Sequence, residues 1–513
     1  MKAVIQLLIT FAILGIQVEA QEPISVEKID TGEVWISPRL KSNNGQSFSV
    51  TVWFDKQLLG DGKAYDRRAK EFSNTTRKEL RTRVIAALKK ASRNSYKSAE
   101  NSLKRLQQSG DVKSLKRHWI INGFSCVTNQ RGLMSIAKIR GVSKIFSGGS
   151  SRSAPSLQKT QFVTNPNRPQ KVSTQKLPWY ISKIKADKVW EELGVTGRGT
   201  LNVVHDNNCI ITPSLARTIY VNRKEIPGNG KDDDRNGLVD DYHGFNFNAN
   251  NSNITMRQLT GDGQDTTRIL HGTSCAQIIS GAEAKNGAPQ FGIAPMSKWA
   301  GVIATSDIEA AVEWAIEQGA DTYSMSFSRP NLGEERSHWR KVTEHGSFCG
   351  LYFVSGAGNF AQSAEVPVQM RIPEDIPEAV FAAAGVHQDL SKTSFSSKGP
   401  VHWDTEHYQD GTVQKPEVCA FNHQLPLLLP DGTVQQGRLN GNSFAGPMLS
   451  GAISLMLSAD PDLLPWDLKK IIISTTTDVS HKGVDYETGH GLINCYAAVK
   501  EVIKQRKIRN NQR

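Results

Sequence analysis

Short apolar runs alternate with helical stretches throughout residues 178–500. The apolar runs include "TYSMSF", "GLYFVSG" and "AVFAAAGV", and the helical stretches include "DIEAAVEWAIEQ" and "FAGPMLSGAISLML". This alternation predicts an α/β fold in which helices flank a mostly parallel sheet. In such sheets, functional sites gather at the carboxyl ends of the strands. Asp206 and Asn359 each follow a predicted strand, so both are candidate site residues.

The regions on either side of this unit differ from it in composition. Residues 21–147 combine the alternating stretch "SFSVTVWFDKQ" with a long charged helical stretch at 81–108, which predicts a small α+β domain. Residues 148–177 are rich in Ser, Pro, Asn and Gln and contain no acidic residue, which predicts a flexible linker. Residues 501–513 are basic and are expected to form a frayed C-terminal tail.

The first twenty residues have the pattern of a secretory signal. "MKAVIQLLITFAILGIQVEA" contains one lysine, an apolar run and a small residue at position 20. This pattern predicts cleavage after about Ala20 and a secreted or periplasmic protein, and the run is too short to span a membrane stably. A buried N-terminal helix is the alternative. No later segment reaches transmembrane length.

The net charge of +12 belongs to the N-terminal third of the chain. Residues 21–150 contain 25 basic and 11 acidic side chains, whereas residues 178–513 contain 31 and 38. A nucleic-acid-binding protein would carry the basic charge on its main domain, so nucleic acid is not an expected partner. We expect the basic module to face an acidic partner, which could be the rest of its own chain.

Cysteine spacing gives no metal or disulfide pattern. No CxxC pair occurs, so neither a zinc site nor a disulfide framework is indicated. We expect mostly buried free thiols at the six positions, Cys126, Cys209, Cys275, Cys349, Cys419 and Cys495.

Three short stretches place reactive side chains next to regular elements. Asp206 ends the apolar run of "LNVVHDNNCI", and His271 directly precedes the helical stretch of "HGTSCAQIISG". Ser443 precedes a helix that is apolar nearly all round and is therefore expected at the centre of the domain. Pro447 is expected in the first turn of that helix, where no N–H is needed. This places Ser443 near unpaired donors and the positive end of the helix dipole.

On these stretches the sequence resembles the subtilisin-like serine proteases. Asp206, His271 and Ser443 follow the order of that family's triad, and "SGAGNF" places Asn359 at its oxyanion-hole asparagine. The resemblance runs from about 178 to 500, and residues 31–147 resemble the family's inhibitory propeptide. It implies a subtilisin-like α/β domain preceded by a small α+β propeptide domain.

The resemblance also implies the chemistry. Ser443 would attack the scissile carbonyl, His271 would transfer the proton, Asp206 would orient the imidazole, and Asn359 would help to hold the oxyanion. No cofactor is required, and the implied partners are protein or peptide substrates and the chain's own propeptide as an intramolecular inhibitor. The implied substrate-binding residues are Ser326, Phe327, Ser328, Ser355, Gly356 and Ala357.

Several positions depart from the family pattern. Asn207 and Asn208 replace Thr and Gly after the aspartate. We expect Asn208 to adopt the positive φ of the glycine that it replaces, because asparagine is among the few residues that tolerate a positive φ. Ser274 replaces a second His, and a side chain at Ser328 is expected to narrow the substrate groove. The alternative function is therefore a catalytically impaired relative that acts as a binding or chaperone-like protein.

The acidic loop "DDDRNGLVDD" has calcium-loop spacing. Asp232, Asp234, Asn236 and Asp240 occupy ligand positions, but His243 stands at the twelfth position where an EF-hand has Glu. We expect either a structural Ca²⁺ site or a solvated turn.

Overall fold

The computed structural model describes residues 24–512 with internal gaps. The gaps are 30–31, 42–46, 61, 149–176, 260–264, 286, 306, 330–332, 334 and 363–368. The predicted signal segment and nearly all of the predicted linker lie outside the described residues. No helix in the described part is long and apolar enough to cross a membrane.

The N-terminal unit is a five-stranded sheet with helices on one side. Its strand order is β2-β7-β3-β6-β5, and β1 pairs separately with β4. The bounds are β1 Glu27–Lys28, β2 Trp35–Ile36, β3 Phe48–Phe54, β4 Lys56–Gln57, β5 Val112–His118, β6 Gly123–Thr128, β7 Val142–Ser147, α1 Ala64–Glu71, α2 Arg77–Gln108 and α3 Gln130–Ile136, with a 3₁₀ helix at Pro38–Leu40. A capping box between Thr76 and Glu79 starts α2.

The larger unit is built on a seven-stranded sheet in the order β16-β13-β12-β11-β8-β10-β9. All neighbouring strands in it are parallel, as the alternation of runs predicts. The strands of this sheet are β8 Leu201–His205, β9 Gly244–Asn246, β10 Lys298–Ile303, β11 Thr322–Met325, β12 Tyr352–Gly356, β13 Val380–Val386 and β16 Val418–Phe421. Two separate antiparallel pairs are formed by β14 Val401–Trp403 with β15 Gly411–Val413 and by β17 Leu425–Leu428 with β18 Val434–Leu439.

The helices of this unit cover both faces of the sheet. They are α4 Trp179–Lys183, α5 Ala186–Leu193, α6 Pro213–Ala216, α7 Thr266–Ile269, α8 His271–Ser280, α9 Ile308–Glu317, α10 Glu335–Phe348, α11 Asn442–Ala459, α12 Pro465–Ser474 and α13 Cys495–Gln512. Almost every residue of α11 is buried, and α11 packs against α8, β11, β12 and β13. The basic segment after residue 500 continues α13, where Arg506 donates a 2.6 Å hydrogen bond to the Ala459 carbonyl, so it is not a frayed tail.

The N-terminal unit packs on α9 and α10 of the larger unit. The indole N–H of Trp53 donates to His338 Nδ1 at 3.0 Å. Basic side chains of the N-terminal unit meet acidic ones across this interface. Arg77 lies 2.6 Å from Asp321, and Lys89 lies 2.5 Å from Glu317.

Candidate active site

Asp206 and His271 form a buried hydrogen-bonded pair. Asp206 directly follows β8, and its Oδ2 lies 2.7 Å from His271 Nδ1. The two residues are 5% and 7% exposed. Burial alone would lower the pKa of His271, but the charge of Asp206 and its hydrogen bond outweigh burial, so the pKa is raised. The pair therefore stabilises an imidazolium.

Gly272 lets the first turn of α8 approach Asp206. A Cβ at this position would lie 2.7 Å from the Asp206 Cβ and 2.6 Å from the Asn208 carbonyl oxygen. No residue larger than glycine fits there without displacing Asp206 or the Asn208 main chain.

The two asparagines after Asp206 hold the loop in place. The Asn207 N–H donates to Asp206 Oδ1 at 2.8 Å, which fixes the second carboxylate oxygen. The Asn208 side chain donates to the Ile269 and Arg257 carbonyls at 2.9 and 3.0 Å and accepts from the Arg257 N–H at 2.9 Å. Asn208 does not adopt a positive φ, so the expectation for its backbone was wrong. Its amide instead bridges the loop to the segment before His271.

Ser443 is the second residue of α11, and Gly441 precedes the helix with a φ of 135°. The expectation that Pro447 lies in the first turn was wrong, because Pro447 is the sixth residue of the helix. Since proline has no N–H, the Ser443 carbonyl loses its partner four residues on. The hydroxyl of Ser326 donates to that carbonyl at 2.9 Å, and the Cys275 thiol lies 3.4 Å from it.

Ser443 lies beside the Asp206–His271 pair. The ring of Phe444, the next residue, lies 5.6 Å from the His271 ring between centroids. The Ser443 hydroxyl donates to the Ser326 carbonyl at 3.5 Å. In this structure the Ser443 hydroxyl is therefore directed at the segment that follows β11.

Asn359 is linked to the start of α11. Its Oδ1 accepts a 2.8 Å hydrogen bond from the Asn442 N–H, which turns the amide toward the residue before Ser443. The Asn442 side chain donates to the Gly358 carbonyl at 2.6 Å and to Ser396 Oγ at 3.0 Å, and accepts from Asn422 Nδ2 at 2.6 Å. Asn422 lies twenty residues before Asn442 and belongs to no motif, so it could not be recognised from the sequence alone.

The predicted substrate-binding residues lie in two buried segments. Ser355 and Gly356 belong to β12, which pairs with strands on both sides, and the Ala357 N–H donates to the Ala383 carbonyl at 2.8 Å. Ser326, Phe327 and Ser328 follow β11. Ser328 is 1% exposed, and its hydroxyl donates to Glu374 Oε1 at 2.5 Å. This side chain points into the protein, so it does not narrow a groove as expected.

The six cysteines are buried and unpaired, as the sequence predicts. Burial raises the pKa of Cys275 well above its ordinary value. Ser274 is also buried, and its hydroxyl has no hydrogen-bond partner among the described residues.

The acidic loop brings part of its predicted ligand set together, because the Asn236 N–H donates to Asp232 Oδ1 and to Asp234 Oδ1 at 3.0 and 3.1 Å. Asp232 accepts from the Asn236 and Gly237 N–H groups at 3.0 and 2.8 Å. Asp240 accepts from the Asn229 and Gly230 N–H groups at 3.2 and 3.0 Å. These two carboxylates therefore cap turns of the backbone.

A different acidic cluster forms beside this loop. Carboxylate oxygens of Glu225, Asp234 and Asp241 lie within 4.8 Å of one another. Burial raises the pKa of Asp241 to about 6. Glu225 Oε2 is buried and finds no hydrogen-bond partner in the described segments. Of the predicted ligands, only Asp234 belongs to this cluster.

Comparison with known proteins decides the family. The model of the Subtilase family matches residues 24–491. The chain belongs to the subtilase family. This membership confirms the resemblance, and the parallel sheet with its flanking helices is the subtilisin-like fold that the resemblance implies.

Curated relatives of this subtilase are proteases. Bacillopeptidase F of Bacillus subtilis (strain 168) is 23% identical over 464 residues, which cover 83% of this chain and 29% of the relative. A probable subtilase-type serine protease of Deinococcus radiodurans is 26% identical over 62% of this chain and 42% of the relative. Subtilisin DY of Bacillus licheniformis is 26% identical over 47% of this chain and 82% of the relative. The chain thus spans less than half the length of the first two.

Proposed function

We propose that this subtilase is a secreted serine endopeptidase that hydrolyses peptide bonds with Ser443, His271 and Asp206. The observation that carries the proposal is the buried 2.7 Å pair of Asp206 and His271 beside the start of α11.

The geometry supports a specific sequence of steps. His271 takes the proton of the Ser443 hydroxyl as the oxygen attacks the peptide carbonyl, and Asp206 stabilises the resulting imidazolium. The oxyanion is held by the Asn359 side-chain amide and the Ser443 N–H at the helix start. His271 then gives its proton to the leaving amine, and water releases the acyl group by the same two proton transfers.

We also propose that residues 21–147 form an inhibitory propeptide, exported with the signal at residues 1–20 and released after cleavage within 148–177. Docking of the N-terminal unit on α9 and α10, with Arg77 and Lys89 facing acidic residues, supports the proposal. Such a precursor remains inactive until the linker is cut.

The cluster of Glu225, Asp234 and Asp241 fits a structural Ca²⁺ ion. Ca²⁺ prefers carboxylate oxygens, and the buried Glu225 Oε2 lacks a partner that an ion would supply. These three residues would hold the ion, which would neutralise a buried concentration of negative charge. The ion takes no part in catalysis.

Purification of the precursor and of Ser443→Ala tests the proposal. We expect only the unsubstituted protein to cut its own linker and to react with a fluorophosphonate probe. If neither protein is processed or labelled, and added protease awakens no activity, the protein is a non-catalytic subtilase.

A further inference from the structure

Glu374 is a buried carboxyl that joins two segments of the candidate site. It is 0% exposed. Its Oε1 accepts hydrogen bonds from the Ser328 hydroxyl at 2.5 Å and from the Arg371 N–H at 3.2 Å. Its Oε2 is buried and has no hydrogen-bond partner within the part of the chain that the structure describes. A buried polar atom in this state is costly unless a ligand completes it.

The carboxyl lies against the residue that precedes Asn359. A Cβ on Gly358 would lie 2.9 Å from Glu374 Oε1, so the bare face of this glycine is what lets the carboxyl approach. Asn359 would hold the carbonyl of the residue on the acyl side of the scissile bond. The side chain of that substrate residue starts one bond from the same carbonyl and can therefore extend over Gly358.

Glu374 has no hydrogen-bonded counter-ion among the described residues. Arg371 gives it only a backbone N–H, and the Arg371 guanidinium lies 3.9 Å from the centroid of the Phe360 ring. The neighbouring carboxylate of Asp375 is paired with Arg336 at 2.6 Å. Burial raises the pKa of Glu374 to about 8. A cationic side chain of a substrate would favour the ionised carboxylate and would donate a hydrogen bond to Oε2.

We infer that Glu374 is a specificity-determining residue that selects lysine or arginine on the acyl side of the scissile bond. The inference rests on the proposed function. A cationic side chain passing Gly358 would pair with the carboxyl, an apolar one would leave Oε2 unpartnered, and an acidic one would place two carboxyls together. Ser328 holds the carboxyl in position through Oε1, the oxygen that lies next to Gly358.

The test measures kcat/KM of the processed enzyme on peptides that differ only in the acyl-side residue, namely Lys, Arg, Leu, Phe, Gln and Glu. We expect Lys and Arg to be preferred over Leu by about tenfold or more, the scale of a charge-paired contact. Glu374→Gln keeps the shape and removes the charge, so it should lose most of this preference while still reacting with the fluorophosphonate probe.

Asp375→Asn is the matched control, because it removes the adjacent buried carboxylate, which is paired with Arg336. It should keep the preference for basic residues. If probe-labelled Glu374→Gln keeps the same ratio of kcat/KM for Lys or Arg over Leu, the inference is overturned. A preference of the unsubstituted enzyme for apolar or acidic residues also overturns it, and that result does not depend on the folding of a variant. If no peptide is cleaved and Ser443 is not labelled, the proposed function itself fails.

Discussion

The Ser326 hydroxyl donates a 2.9 Å hydrogen bond to the main-chain carbonyl of Ser443. Pro447 deprives that carbonyl of its helical partner, so a residue after β11 completes the second turn of α11. The segment after β11 and the helix that carries the proposed nucleophile are thereby joined at Ser443.

Ser326→Ala should therefore disturb both stability and catalysis. Loss of the donor leaves a buried carbonyl with only the weak Cys275 thiol, at a cost of about 1–3 kcal/mol in the free energy of unfolding. We expect kcat to fall because Ser443 loses a support. Ser458→Ala is a control for denaturant unfolding and kinetics, since Ser458 also donates to a main-chain carbonyl, at 2.9 Å, on the more exposed end of α11. Equal effects of the two substitutions would contradict this assignment.

Asn442→Ala should weaken the hold on Asn359. The substitution removes the side chain that bonds Gly358, Ser396 and Asn422, while its main-chain N–H to Asn359 remains. We expect kcat to fall with little change in KM, because the oxyanion donor loses its fixed position. Asn359→Ala, which removes the donor itself, should lower kcat about 10²–10³-fold. An Asn442→Ala variant with unchanged kcat would show that Asn359 needs no such support.

Acid should loosen the docking of the N-terminal unit through His345. Its Nε2 accepts from the Leu59 N–H at 3.2 Å, and its Nδ1–H donates to the Ile120 carbonyl at 2.6 Å. Burial first, and then the charges of Lys341 and Arg68, lower the pKa of His345 to about 3. Because the docked pKa is depressed, the docked state binds fewer protons. The stability of the docked state is therefore fully present above about pH 6.5. Below that pH, the equilibrium constant for docking falls by up to about tenfold per pH unit.

Hydrogen exchange of the Ser443→Ala precursor measures this effect. After correction for intrinsic rates, segments containing Leu59 and Ile120 should exchange faster at pH 5 than at pH 7. His345→Gln should reduce the difference, whereas His402→Gln, on an exposed residue, should not. Identical pH dependence in the His345→Gln protein would exclude this histidine as the cause.

Calcium should raise the melting temperature through Glu225, Asp234 and Asp241. The pKa of Asp241 is raised to about 6, so without an ion the charged carboxylate lowers stability as the pH rises from about 4 through 6. The Ca²⁺-dependent gain should accordingly be largest above pH 6 and should shrink below it. Calorimetry with and without a chelator measures the gain.

Glu225→Gln should abolish the Ca²⁺-dependent gain. Asp232→Asn should preserve it, because Asp232 only caps backbone N–H groups. If the Ca²⁺-dependent rise in melting temperature persists in Glu225→Gln but disappears in Asp232→Asn, the ion binds the loop residues that the sequence predicts.

The order and type of elements could be predicted because hydrophobic periodicity depends on local sequence. Asp206 and Asn359 follow strands of the sheet as expected, since parallel strands end at one edge. The proposed calcium ligands Glu225 and Asp241 could not be predicted from spacing. The carboxylates of Asp232 and Asp240 accept hydrogen bonds from backbone N–H groups of the turns. Glu225 and Asp241 do not occupy ligand positions of the calcium-loop spacing.

Long-range contacts explain the remaining differences. Pro447 was expected in the first helical turn, where its missing N–H would leave no carbonyl without a donor. In the folded chain it lies in the second turn, and the Ser326 hydroxyl, more than a hundred residues earlier, donates to the Ser443 carbonyl in its place. Glu374 carries no motif, and its relation to Ser328 and Gly358 exists only in the folded chain.

Fluorophosphonate labelling of the precursor and of its Ser443→Ala variant shows whether Ser443 is the nucleophile of a protease. We predict one probe per molecule of the processed protein, attached at Ser443, and no labelling or self-cleavage in Ser443→Ala. Labelling that persists in Ser443→Ala, or a folded and linker-cut protein that takes up no probe, would contradict this prediction.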